Sequence, residues 1–101
     1  MDKAKARFAA WDAAETIHTA EDAILTLDAA LQDGDPALIN SMLGAIARSK
    51  GMTAIAEETG LGRESLYKAL SETGNPSFAN ALAVLRACGL RLRVETIDSA
   101  A

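Results

Sequence analysis

The sequence predicts an all-α fold, a compact five-helix domain closed by a short C-terminal β-strand, and three observations carry that prediction. Half of the 101 residues are apolar and only 4% are aromatic, an alanine-rich composition that suits closely packed helices better than a β-sandwich. Gly34, Gly51, Gly60 and Gly89 punctuate runs whose apolar residues recur at helical spacing. Between two of these runs, the block MTAIAEETGLGRESLYKALS from Met52 to Ser71 has the spacing of a complete helix-turn-helix.

The elements follow in order. Asp12, Ala13, Ala14 and Glu15 read as a capping box for a short turn that buries Trp11 or Ile17. Thr19 caps a helix to about Gln32, with Ile24, Leu27 and Leu31 on one face and Gly34 as its stop. Asp35 and Pro36 start the next, because proline at the first helical position loses no hydrogen bond. Ile39, Met42, Leu43, Ile46 and Ala47 trace its apolar stripe; Arg48 and Lys50 complement the helix dipole before Gly51 closes it. Thr53 caps the third helix. The run Glu72 to Pro76 is a loop, after which Ser77 restarts a helix with Phe78, Leu82, Leu85 and Cys88 on its apolar face. Beyond Gly89, Leu90, Leu92 and Val94 alternate with Arg91, Arg93 and Glu95, the period of a half-buried strand. A lone strand leaves its backbone groups unpaired. It therefore pairs with its own copy about a two-fold axis to give a homodimer, adds to a partner's sheet edge, or lies as an extended tail on its own helices.

Within the helix-turn-helix, Ala56 sits where the two helices press closest and Gly60 takes the positive-φ turn. Leu61 anchors the turn and Leu66 returns to the core. Arg63, Glu64, Tyr67 and Lys68 then project from the opposite face of a short helix, the face that would enter the major groove of DNA. An ordinary αα-hairpin explains the glycine and the leucines but not the base-capable outward set. Ala69 stands where such motifs usually carry a bulky aliphatic, and Leu70 beside it can fill the gap by a small helix rotation.

A net charge of −4 looks wrong for a DNA-binding chain until its distribution is read. Residues 1–35 hold three basic and eight acidic side chains, a balance of −5, whereas 36–94 hold seven basic and four acidic, a balance of +3. The helix-turn-helix lies in the basic portion, which leaves the acidic portion to a basic partner. The longest apolar stretches fall far short of the roughly 20 residues of a membrane span, and the start lacks a cleavable signal, so a cytoplasmic protein without membrane attachment is expected. Cys88, the sole cysteine, can form no internal disulfide and reads as buried packing. One histidine, His18, and one cysteine supply no zinc site, and Gly60, Gly62 and Gly74 mark helix boundaries rather than a phosphate loop. No enzyme, cofactor or metal is expected.

From Asp12 to Val94 the chain resembles the probable addiction-module antidote proteins, HigA-like antitoxins within the phage-repressor group. WDAAETI, ALQDGDPALI and, above all, LGAIARSKGMTAIAEETGLGRESLYKALSETGNPSFANALAVLRACGLRLRV carry the resemblance. It implies a phage-repressor-like helix-turn-helix antitoxin that binds double-stranded operator DNA, represses its own operon and neutralises a cognate small basic RelE/ParE-type toxin. The family's reading helix corresponds to Arg63, Glu64, Ser65, Tyr67 and Lys68. Arg63 is best placed for a guanine edge or a phosphate; Glu64 orients Arg63 or accepts from cytosine N4. Thr53 and Ser65 are candidates for DNA-backbone contacts. Ala54 departs from the polar residue, often glutamine, that the family shows there, and Trp11 replaces a usual phenylalanine. Toxin contact is expected in the N-terminal arm, where Phe8 and Trp11 follow Lys3, Lys5 and Arg7, or else these aromatics belong to a frayed helix packed on the body. The implied organisation is an arm over 1–18, a helix-turn-helix domain with its strand over 19–97 and a tail over 98–101. A free-standing phage-type repressor without a toxin, or a pure interaction module, is the alternative.

Overall fold

A computed structural model describes residues 13–71 and 73–100, with backbone only for 99 and 100. A helical turn at 13–16 precedes α1, Ala20–Asp33, and α2, Pro36–Lys50. Helix α3, Met52–Thr59, and α4, Arg63–Ala69, follow; α5, Phe78–Ala87, and a 3-10 turn, Ile97–Ala100, complete the order. The expected five helices become six α-helical segments among the described residues once the turn at 13–16 is included, with the 3-10 turn in addition.

Polar residues at the predicted starts accept the first orphan amides. The Thr19 hydroxyl accepts the Asp22 N–H at 3.1 Å, while the Asp22 carboxylate accepts those of His18 and Thr19 at 2.9 and 3.1 Å. This reciprocal capping box opens α1. Asp35 accepts the Ala37 N–H at 3.1 Å ahead of Pro36, and Ser77 accepts that of Asn80 at 3.1 Å. At the end of α5, the Gly89 N–H reaches Arg86 at 2.9 Å and the Leu90 N–H reaches Leu85 at 2.8 Å. These are both bonds of a Schellman motif, and Leu85 and Leu90 pack in the same apolar cluster.

Helix α1 packs on α2, and α3 packs on α2, α4 and α5, which makes the short α3 the centre of the molecule. Ile55 on α3 and Val84 on α5 are its largest fully buried side chains. Ile17 is buried, with Ala13 and Ala14 packed against the core.

Four expectations are corrected. On α1 the buried line is Ala23, Leu27 and Ala30, whereas Ile24 and Leu31 are 53% and 42% exposed. Small alanines let α1 lie close to α2, and the seam turns onto them. Phe78 at the first position of α5 is 71% exposed, because Val84 and Leu85 carry that helix's burial. Helix α3 starts from Gly51, so Thr53 lies inside its first turn rather than capping it. Finally, Leu90, Leu92 and Val94 form no strand within this chain. The described residues hold no other strand, so none offers a ladder edge. The N-terminal capping box and Trp11 involve positions outside the described residues.

Candidate nucleic-acid interface

The interface candidate is built by the turn between α3 and α4. Gly60 closes α3 at φ 75° and ψ 7°, with its N–H on the Ala56 carbonyl at 2.9 Å. That backbone conformation costs a side-chain-bearing residue energy that glycine avoids. The Thr59 hydroxyl donates to the Ile55 carbonyl at 2.8 Å and accepts the Leu61 N–H at 3.2 Å, so one side chain stitches the turn to its helix. Leu61 packs against the core from the turn, and Ala56 is half-buried beneath it in sequence.

Two leucines then hold α4 down. Leu66 is 2% and Leu70 3% exposed, and Ala69 between them is half-buried, so Leu70 supplies the bulk that Ala69 lacks. At about 100° per residue, positions 64 and 68 lie opposite the buried pair 66 and 70, while 63 and 67 flank it, so the four span an arc of roughly 140°. Arg63, Glu64, Ser65, Tyr67 and Lys68 are indeed all exposed. The Arg63 guanidinium lies 5.7 Å from the Tyr67 ring centroid, a cation–π approach that gives a long flexible side chain a preferred position above the helix. Thr53 is exposed in the first turn of α3.

Both helices of this motif begin at a glycine, Gly51 and Gly62, with no side-chain cap. Their first-turn N–H groups have no intrahelical acceptor and no side-chain acceptor at the cap position.

Behind α4 lies a group that the sequence analysis did not single out. Asn40 on α2 is buried at 8% exposure, and its Nδ2 donates to the carbonyls of Ala69, Ser71 and Gly74 at 2.9, 2.6 and 3.3 Å. Its Oδ1 is buried without a partner. The opposite amide orientation would set that oxygen against three carbonyl oxygens, so the orphaned acceptor is the lesser cost. A Cβ at Gly44 would meet the Leu70 carbonyl oxygen at 2.5 Å, and one at Gly74 would collide with the carbonyls of Lys68 and Ala69. Asn40 and the two glycines thus clasp the end of α4 against α2. The available signal was position: 40, 43, 44 and 47 share one face of α2, and an asparagine there interrupts an otherwise apolar line.

The remaining expected residues divide. Leu90 is half-buried against the core; Leu92 and Val94 are 40% and 97% exposed. Phe8 and Trp11 lie outside the described residues. Cys88 is half-buried and packs on the core. Burial pushes its thiol pKa up, with Lys50 opposing and Glu58 adding to the shift, which is the reverse of what an activated thiolate needs. Among the described residues no group of three His, Cys, Asp or Glu could hold a metal ion, and no helix is long and apolar enough to cross a membrane.

Residues 7–96 match the family described as "Probable addiction module antidote protein". The chain is also 45% identical over 85 residues to an uncharacterized protein of Haemophilus influenzae (strain Rd), an alignment covering 84% of this chain and 88% of the relative. No solved structure matches the chain.

Proposed function

Because this chain belongs to the probable addiction module antidote family, we propose that it is the HigA-like antitoxin of a type II module that reads operator DNA through α4. An antidote implies a toxin to neutralise, here a small basic protein of the RelE/ParE type. The observation that carries the DNA-binding part is the outward set Arg63, Glu64, Ser65, Tyr67 and Lys68 on a helix pinned by buried Leu66 and Leu70.

Each side chain then has a task in the major groove. Arg63, held near the Tyr67 ring, presents its fork to a guanine edge, the commonest specific contact of its kind. Glu64 orients that fork or accepts from a cytosine amine. Lys68, Thr53 and Ser65 contact the phosphate backbone, and the uncapped first turn of α3 adds N–H donors of the type phosphates take. Two copies reading two half-sites about one helical turn apart bind the operator and repress its own operon. The copies pair through the segment of Leu90, Leu92 and Val94, extended on association, with Leu92 and Val94 exposed for it and Leu90 anchoring it to the core. The protein acts in the cytoplasm as a binding module, without catalysis or cofactor, and the aromatic arm residues Phe8 and Trp11 contribute to toxin capture.

A gel shift of the full chain on its own upstream DNA, at two salt concentrations with unrelated competitor, tests the reading. Arg63→Ala is expected to weaken specific binding by about 1–3 kcal/mol. Equal affinity of the variant removes the base contact, and absence of any specific shift removes the repressor role.

A further inference from the structure

The turn of the α1 seam onto alanines leaves an apolar surface that the described residues do not cover. Ile24 and Leu31, two helical turns apart on one line of α1, are 53% and 42% exposed; Leu25, about 100° round the helix from Ile24, is 66% exposed, and Leu38 in the first turn of α2 is 37% exposed. Exposed aliphatics that share one helix face, as Ile24 and Leu31 do, mark interaction sites more often than scattered single ones.

Their surroundings select the occupant. From position 13 to 47 the chain carries six acidic side chains and neither lysine nor arginine. Asp22 and Asp35 are spent on the caps of α1 and α2, but Glu21 and Asp28 are exposed on the flank of the Ile24 and Leu31 line, and Asp33 is exposed at the end of α1. Asp28 lies between Ile24 and Leu31 on the helix surface, oriented by the Gln32 amide at 2.8 Å. A second copy in symmetric contact would oppose two acidic surfaces, and DNA or an anionic bilayer would be repelled outright. A cationic protein that places apolar side chains inside a basic rim meets both requirements, with the aliphatics supplying a dry centre and the carboxylates a steering ring.

We infer that the outer face of α1, centred on Ile24, Asp28 and Leu31, is the docking surface for a small basic protein partner. The inference rests on the antidote reading, because that reading supplies such a partner in the toxin. It places the main contact on the folded body, on the side of the acidic helices, separate from the Arg63 and Lys68 face of α4.

The probe is a small basic protein found to be encoded beside this gene, titrated calorimetrically into the full chain. Ile24→Ser/Leu31→Ser is expected to weaken binding at least about tenfold, as loss of central apolar anchors does. Asp28→Lys is expected to weaken it several-fold with a smaller salt dependence. Both sets are exposed positions, so thermal unfolding and the operator gel shift of the variants should match the parent. Wild-type affinity in both variants, with binding lost instead in Phe8→Ala/Trp11→Ala, overturns this surface and keeps the antitoxin reading. Reduced self-association in sedimentation with partner affinity intact assigns the patch to a second copy and also overturns it. Absence of a basic protein beside the gene, or failure of the parent chain to bind it, overturns the antitoxin reading and this inference together.

Discussion

The helices of this protein begin in two different ways. Helices α1, α2 and α5 open with Thr19, Asp35 and Ser77, each accepting a first-turn amide. Helices α3 and α4 open at glycines with no side-chain acceptor. The first group is held partly by local chemistry. The second, the pair joined by the turn at Gly60, owes its position to burial of Met52, Ile55, Leu66 and Leu70. A side-chain cap and a bound phosphate would compete for the same donors, so on the proposed DNA-binding reading the open helix starts leave stability to the buried face.

Substitutions at five positions break or sharpen that contrast. Leu66→Ala empties the anchor of an uncapped helix and is expected to cost about 2–5 kcal/mol of unfolding free energy, read from the urea midpoint. A loss below about 1 kcal/mol would show that α4 stands on something other than burial. Asn40→Ala removes the donors that three carbonyls at the end of α4 share, with an expected cost of about 1–3 kcal/mol in the same assay. Asn40→Asp should fare no better, since a carboxylate cannot donate to carbonyls.

Thr19→Ala tests a capped helix and should cost about 1 kcal/mol, less than either change above. Its partner Asp22 adds a pH signature. The His18 N–H, opposed by desolvation and joined by Thr19, holds the Asp22 carboxyl below the ordinary aspartate range. A depressed folded-state pKa contributes stability that is complete above the unfolded value, about 3.9, and lost as pH falls through the folded one. Acid below about pH 4 should therefore loosen the start of α1, and Asp22→Asn should flatten that part of the stability profile in circular dichroism melts.

Gly62→Asp gives the smallest change in stability and the most pointed one. Gly62 has φ −66° and ψ 142°, and a Cβ there makes only ordinary contact with the Ser65 hydroxyl at 3.6 Å. A cap and a favourable dipole interaction should raise stability by about 0.5 kcal/mol. The same carboxylate at the start of α4 should weaken operator binding. A variant that gains stability and keeps full DNA affinity would separate the open helix ends from function.

Local chemistry was legible in the sequence, and it is local chemistry that the caps express. Thr19, Asp35 with Pro36, Ser77, Gly60 and Gly89 each act where their residue type suggested, because a cap depends on neighbours within four residues. The burial of Leu66 and the exposure of Arg63, Glu64, Tyr67 and Lys68 were legible for a related reason, since these positions lie within one or two turns of a single helix. The α1 seam was not, since in an alanine-rich helix Ala23 and Ala30 compete with Ile24 and Leu31 for the core, and only the approach of α2 decides. Asn40 was hidden because its acceptors lie 29 to 34 residues away. The alternation at Leu90, Leu92 and Val94 is real, but alternation states a demand for a strand partner without supplying one.

The most direct test of the account is an amide-resolved NMR titration of the isotope-labelled full chain with duplex DNA from its own upstream region. The account predicts that the perturbed signals gather in the first turn of α3 and from Gly62 to Lys68, while Ile24, Asp28 and Leu31 on α1 stay unmoved. Perturbations centred on α1, or none that distinguish this duplex from unrelated DNA, would contradict it.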